Sequence, residues 1–252
     1  MLNLVLGEEV FAFLLVFTRL GTALILIPAL GEMSVPARIR LVLALLLSFL
    51  TLSLVREGLP PQPATIFGLT GLLISEVVIG AMIGTSARMI MGALHVAGTV
   101  IGFQGGLAAA QQFDPTQGTS GALIASFLGL IGILIIFTTN LHHMLIGALR
   151  YSYDYFPVGA TLPFAQFAEL ITDTIAGAFT LCVQLAAPFL VYGLIFHVGL
   201  GLIARLMPQL PVFFVAMPLN VFMGFVILSV SIGAMMLWFE DYFTDRMMYF
   251  LP

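Results

Sequence analysis

Six apolar runs, some of them longer than a lipid bilayer is thick, constrain this sequence more than any other feature. They cover residues 10–30, 39–55, 66–103, 122–139, 175–202 and 212–239. A helix crosses the hydrocarbon layer in about 20 residues, so each run has the length of a spanning helix. The runs are continuous and do not alternate with a period of two, which disfavours a β-barrel. We therefore predict an all-α membrane protein of about six long hydrophobic helices arranged as hairpins.

The shortage of charge supports this prediction. Only 8% of the 252 residues are charged and 61% are hydrophobic, whereas soluble domains contain about 25% charged residues. A surface this apolar needs membrane lipid or protein neighbours. All 8 basic residues are arginines and they form no basic run, which disfavours a nucleic-acid partner. The segment before the first run contains Glu8 and Glu9 and no basic residue, so we expect this run not to be a cleaved signal peptide.

Two proline-free stretches, 65–104 and 122–156, are longer than a span requires. One interpretation is a single span with a helical extension, and another is a pair of short helices kinked near residues 85–88. A third is a long hairpin that leaves the bilayer and packs on neighbouring proteins. We favour the hairpin, because forty helical residues reach about 60 Å, twice the hydrocarbon thickness.

Glycine and proline positions refine this arrangement. Gly80 with Gly84, and Gly98 with Gly102, have the spacing that lets helix backbones approach closely. Proline removes a helical hydrogen bond, so we expect kinks at Pro188 in the fifth run and at Pro218 in the sixth.

Arg19 and Glu76 lie inside apolar runs. An ionisable group at that depth is costly unless it is paired or hydrated. We favour a structural pair or a contact with a partner subunit over ion coupling, which needs a chain of titratable groups. Neighbouring residues of a helix point about 100° apart, so His142 and His143 do not form a metal clamp. We expect no metal and no cofactor.

A segment rich in glycine and glutamine, residues 102–121, separates the third run from the fourth. Taken alone, it is most simply an ordinary connection between helices. Its last residues, GTSG, resemble the serine motif of rhomboid intramembrane proteases, with Ser120 as nucleophile and His197 as base. However, His197 lies in the fifth run rather than the last, and no matching His and Asn pair is present. We therefore disfavour a protease.

Four stretches, read together, resemble the flagellar export-gate R subunit family, FliR, which is related to the T subunit of type III injectisomes. They are FTRLGTALILIPALGEMSVPARIRLVLAL, EVVIGAMIG, IGFQGGLAAAQQFDP continuing through NLHHMLIGAL to FPVG, and GLIARLMPQLPVFFVAMPLNVFMGF. They are spread over most of the length of the chain, from residue 17 to residue 225, in the family's order. One departure is His197, near which members of the family often have an acid.

The resemblance implies a P-type and a Q-type gate subunit fused in one chain. Residues 1–174 would form P-like helical hairpins and residues 175–252 a Q-like C-terminal hairpin. It also implies that residues 105–121 form a plug in the lumen of a pore, whose aperture Phe103 and Phe113 can fill. The plug residues are Gly105, Gly106, Gln111, Gln112, Phe113, Asp114, Gly118 and Gly121. Buried polar residues with a role in assembly are Arg19, Glu76, Arg88, Arg205 and Gln209.

The resemblance further implies a non-enzymatic subunit in the bacterial inner membrane, within the flagellar basal body. Its partners would be P and Q subunits, FlhB-type and FlhA-type export components, membrane lipid and the unfolded flagellar proteins that are exported. No P-loop sequence is present, so the energy must come from other components. The alternative from another class is a secondary transporter for a small solute, with helices broken at Pro188 and Pro218.

Overall fold

The computed structural model describes residues 2–32, 34–107, 120–209 and 211–251, and within these ranges the chain contains helices and no strand. The α-helices are α1 (Leu2–Leu26), α2 (Ala37–Val55), α3 (Ile66–Gln104), α4 (Ser120–Thr138), α5 (Leu141–Tyr155), α6 (Phe164–Leu206) and α7 (Val212–Met248). A short 3₁₀ turn, Arg56–Gly58, follows α2. The predicted all-α fold is confirmed.

Five of these helices are long and apolar enough to cross a membrane. Their candidate spans are Gly7–Leu26, Ala37–Gly58, Ile66–Gln104, Phe164–Leu206 and Ala216–Met248. The segments Leu123–Thr138 and Leu141–Tyr155 pass the same test together, with a bend of 72° between them. Counting that pair as one span gives six, in agreement with the six apolar runs.

The stretch 65–104 forms one continuous helix, α3. The interpretation with two short helices kinked near residues 85–88 is therefore wrong. Every residue around that point has helical hydrogen bonding, and none of them is a proline that would remove a bond.

The stretch 122–156, in contrast, does not form one helix. It divides at Asn140, which has left-handed backbone angles, φ 59° and ψ 18°. Asparagine adopts this conformation more readily than most residues, and it is common at the end of a helix. The stretch contains no proline, so the proline positions do not predict this break.

Helices α6 and α7 run without interruption through Pro188 and Pro218. Both helices also extend beyond the apolar runs. Helix α6 begins at Phe164, in a segment that contains Glu169 and Asp173, and α7 continues past Glu240. Helical hydrogen bonds do not require apolar side chains, so a polar extension adds helix length that hydropathy does not detect.

The chain forms two compact units. Unit 1 contains Met1–Ile90, Ile136–Ile175 and Phe243–Pro252, and unit 2 contains Met91–Ile135 and Ala176–Tyr242. The core of unit 1 includes Phe11, Leu15, Ile27, Ile83 and Leu145, and that of unit 2 includes Leu94, Leu128, Leu185, Phe189 and Phe239. The predicted division at residue 174 separates a P-like part of the chain from a Q-like part. The two compact units do not test that resemblance, so the division stays a prediction.

Glycines bring α3 close to α1 within unit 1. A Cβ atom at Gly80 would overlap the backbone oxygen of Arg19, and one at Gly84 would lie 2.9 Å from the backbone oxygen of Ala23. In unit 2, a Cβ atom at Gly98 would lie 2.7 Å from the backbone nitrogen of Ala125 in α4. These glycines therefore set the separation between helices.

We expect Gly80→Ala to lower the melting temperature of the purified protein in detergent. The added methyl group meets backbone rather than a flexible side chain, and such overpacking costs about 1–3 kcal/mol. Gly71→Ala is the matched control in the same helix, because a Cβ atom at Gly71 meets nothing within 4 Å. Equal melting temperatures for the two variants would contradict the close α1–α3 contact.

Candidate functional site

A buried ion pair links two helices of unit 1. Arg19 of α1 and Glu76 of α3 are both 0% exposed. Arg19 Nε donates to Glu76 Oε2 at 2.7 Å, and Nη2 donates to Glu76 Oε1 at 2.9 Å. The structure thus brings together two of the residues that the sequence marked as buried and polar. This bidentate geometry is the strongest form of an arginine–carboxylate contact.

The remaining N–H groups of Arg19 bind the end of α5. Nη1 donates to the backbone oxygen of Ser152 at 3.0 Å and to its hydroxyl oxygen at 3.2 Å. Nη2 also donates to the backbone oxygen of Phe156 at 2.9 Å. All five N–H donors of the guanidinium therefore have acceptors. The carbonyl groups at a helix C-terminus favour a cation, which adds to the stability of this arrangement.

An aromatic ring completes the surroundings of the guanidinium. The ring of Tyr153 lies with its centroid 3.9 Å from Arg19 Cζ, in a cation–π contact. Among the described residues, Arg19 is the hydrogen-bonding partner of the Glu76 carboxylate, and no histidine or second carboxylate contacts it. The geometry is that of a saturated structural pair that joins α1, α3 and α5.

The other residues marked as buried and polar lie elsewhere. Arg88, Arg205 and Gln209 are exposed on this chain. Arg88 faces outward from α3 while Ser86, Ala87 and Ile90 face inward. Arg205 lies in the last turn of α6, and Gln209 follows the helix. The structure contains this chain alone, so the burial of these three residues in an assembly and their role there stay predictions.

Most of the predicted plug lies outside the described residues. This applies to Gln111, Gln112, Phe113, Asp114 and Gly118. Gly105 and Gly106 follow the end of α3, and Gly121 lies in the first turn of α4. Phe103, in the last turn of α3, is 59% exposed.

The end of α3 is held by close contacts within unit 2. Gly106 has a φ of +75°, and a Cβ atom there would lie 2.7 Å from Asn220 Nδ2 of α7. A Cβ atom at Gly224 would lie 3.0 Å from the Cα atom of Gly105. On the side of α6, a Cβ atom at Gly193 would overlap the amide group of Gln104. The point where the predicted plug begins is therefore fixed between α6 and α7.

Sequence reasoning missed Asn220, which is 8% exposed. The sequence did contain a sign of its role, because Asn220 is a polar residue inside the sixth apolar run. Arg19 was identified because it lies inside an apolar run, and the same criterion applies to Asn220. Gly193 and Gly224 carried no comparable signal, since glycine is frequent in membrane helices.

The rings of His142 and His197 contact the backbone of their own region. His197 Nδ1 lies 2.6 Å from the backbone oxygen of Gly193, one turn earlier in α6. His142 Nδ1 lies 3.2 Å from the backbone oxygen of Ile136. Ser120, the nucleophile of the disfavoured protease interpretation, is the first residue of α4. In the part of the chain that the structure describes, no three His, Cys, Asp or Glu residues are grouped as a metal site would need.

We expect single and double substitutions of the ion pair to differ in a characteristic way. Arg19→Met leaves the Glu76 carboxylate buried without a partner, which costs about 3–5 kcal/mol. The double variant Arg19→Met with Glu76→Leu removes both charges, so it should be more stable than either single variant. Thermal unfolding in detergent measures this order.

The control for this cycle is an exposed pair of the same unit, Arg56 with Glu9, whose side chains are 38% and 49% exposed. Because water already solvates these charges, Arg56→Gln should leave the melting temperature almost unchanged. If Arg19→Met were as mild as Arg56→Gln, the structural role of the buried pair would be wrong.

Comparison with known proteins identifies the family. The family model described as "Bacterial export proteins, family 1" matches residues 10–246. The flagellar biosynthetic protein FliR of Caulobacter vibrioides is 40% identical over 235 residues, which are 93% of this chain and 94% of that protein. FliR of Bacillus subtilis is 30% identical over 92% of this chain and 90% of its own. The secretion system apparatus protein SsaT of Salmonella typhimurium is 29% identical over 64% of this chain and 62% of its own. The chain therefore belongs to family 1 of the bacterial export proteins, together with the FliR proteins.

Proposed function

We propose that this chain is an integral subunit of the flagellar type III protein-export gate in the bacterial inner membrane. There it helps to form and seal the pore through which unfolded flagellar proteins cross. The observation that carries the proposal is the family match over residues 10–246, together with relatives named as flagellar biosynthetic proteins over more than nine-tenths of both chains. Its role is structural rather than enzymatic.

Helix length supports a multi-subunit gate. Helix α6 has 43 residues and α3 has 39. At about 1.5 Å per residue, α6 is about 65 Å long, while the hydrocarbon layer is about 30 Å thick. A tilt of about 40°, at the upper end of the observed range, still leaves α6 spanning about 50 Å. Apolar surface beyond the hydrocarbon layer needs protein neighbours.

An unpartnered apolar face on α6 supports the same conclusion. Exposed apolar residues recur along the second half of this helix at the spacing of a single helical face. They are Val191, Leu194, Ile195, Val198 and Leu202, each more than half exposed. We propose that this face packs against another gate subunit. P-type and Q-type subunits are the proposed neighbours, with FlhB-type and FlhA-type components in the same apparatus.

We expect the chain to aggregate or be degraded when it is expressed alone, because its long apolar faces then lack partners. Co-expression with the P-type and Q-type subunits should give a hetero-oligomer that survives detergent extraction. Size-exclusion chromatography and native mass spectrometry distinguish the two results. A monodisperse, functional monomer obtained without partners would count against the gate.

The segment 105–121 is proposed to be the plug of this gate. The support from the structure is that both Gly105 and Gly106, at its start, are fixed against α7. Non-helical backbone is tolerated at membrane depth where it lines a wet lumen. An aromatic side chain such as Phe113 can close a narrow pore by excluding water.

We expect deletion of residues 108–112 to let small ions leak through the assembled complex, because the deletion removes volume from the constriction. Phe113→Ala should give a weaker leak by removing part of the apolar seal. Gln117→Ala is the control in the same segment, since it removes no aromatic ring. Ion conductance is measured in complexes whose assembly has been verified. Full assembly of the deletion variant without a leak would refute the plug.

A further inference from the structure

Helices α1 and α2 enclose an apolar groove in unit 1 with a volume of about 380 Å³. Its walls include Phe17, Gly21 and Ile25 of α1 and Ala37, Arg40 and Ala44 of α2. The groove exists because small residues face each other across it. A Cβ atom at Gly21 would meet only the ring of Phe17, at 3.8 Å, which is an ordinary van der Waals distance.

The guanidinium of Arg40, on the wall of this groove, has few hydrogen-bonding partners within the chain. Its Nη1 donates to the backbone oxygen of Gly31 at 3.5 Å, which is long for a hydrogen bond. Its Nε is buried without a hydrogen-bond partner. No carboxylate among the described residues lies within ion-pair distance of Arg40. A guanidinium beside an apolar surface, with unused donors, is suited to bind an anion.

The position of Arg40 along its helix narrows the choice of anion. The candidate span Ala37–Gly58 begins only three residues before Arg40. The end of a membrane span is where the phosphate groups of lipids lie, and basic residues at that level attract anionic lipids. The apolar wall of the groove continues from Arg40 toward Ala44, in the direction in which an acyl chain would enter the membrane.

The cation beside the apolar wall favours a phospholipid, which carries an acyl chain for the wall and a phosphate group for Arg40. We propose that the groove between α1 and α2 binds an anionic phospholipid, with one acyl chain against Gly21 and the phosphate group on Arg40. The proposal is independent of the export function.

Two pairs of variants test the site in the complete complex with its partner subunits. Arg40→Gln removes the phosphate contact, and Arg38→Gln is its control. Arg38→Gln removes the same charge from the same helical turn. However, Arg38 is exposed, and its position two residues from Arg40 places it about 200° away around the helix. Gly21→Leu fills the groove, and Gly7→Leu is its control in the same helix, because a Cβ atom at Gly7 meets nothing within 4 Å.

The complexes are placed in nanodiscs with equal amounts of phosphatidylglycerol and phosphatidylcholine, and the lipid that they retain is measured by native mass spectrometry. Arg40→Gln should lower the preference for phosphatidylglycerol about fivefold. Gly21→Leu should remove one bound lipid per chain, while Gly7→Leu matches the wild type. Arg38→Gln should lower the preference for phosphatidylglycerol clearly less than Arg40→Gln does, because Arg38 does not line the groove. Equal effects of Arg40→Gln and Arg38→Gln, or no effect of either, would overturn the site.

A second measurement uses the unaltered chain, so it does not depend on the folding of a variant. Phosphatidylglycerol with a photoreactive acyl chain is cross-linked to the wild-type complex, and the labelled peptides are identified. Adducts within residues 17–25 or 37–44 support the site. Adducts confined to other segments, or cross-links from a partner subunit to these residues in place of lipid, would overturn it.

Discussion

The structure of unit 1 depends on one buried ion pair, Arg19 with Glu76. The guanidinium of Arg19 has five N–H groups and no exposure to solvent, so it needs five acceptors within a few ångströms. Glu76 supplies two, and the end of α5 supplies the other three through Ser152 and Phe156. Residues that are distant in sequence must therefore meet at one point. The positions of α1, α3 and α5 relative to one another follow from that requirement.

A second constraint is the mismatch between these helices and a bilayer. A single apolar helix of about 20 residues would be covered by lipid along its whole length. Helices α3, α6 and α7 have 39, 43 and 37 residues, about twice the number that lipid can cover. Their extra length is partly polar, as at Glu169 and Glu240, and partly apolar. Polar segments can face water, but exposed apolar segments outside the hydrocarbon layer are stable only against protein, which is why a multi-subunit assembly suits this fold.

Hydropathy was sufficient to predict the helical class and the number of apolar segments, because both follow from continuous runs of apolar residues. It could not predict the break at Asn140, which depends on a single left-handed residue. It also could not predict the beginning of α6 at Phe164, since a polar extension has no hydropathy signal. At the candidate site, the charges of Arg19 and Glu76 were visible in the sequence. Their joint contact with the end of α5 was not, because it depends on backbone oxygens that every residue possesses.

The ion pair and the glycines of α3 form one seam. Glu76, Gly80 and Gly84 are four residues apart, so they lie along one face of the helix, and that face contacts α1 from Arg19 to Ala23. Glycines allow close approach, but a smooth glycine surface permits several registers. Between helices surrounded by lipid, apolar contact alone discriminates weakly among those registers. The bidentate pair has only one geometry, and a shift by one turn, about 5.4 Å, would leave two buried charges unpaired. We therefore attribute close packing to the glycines and register to the charges.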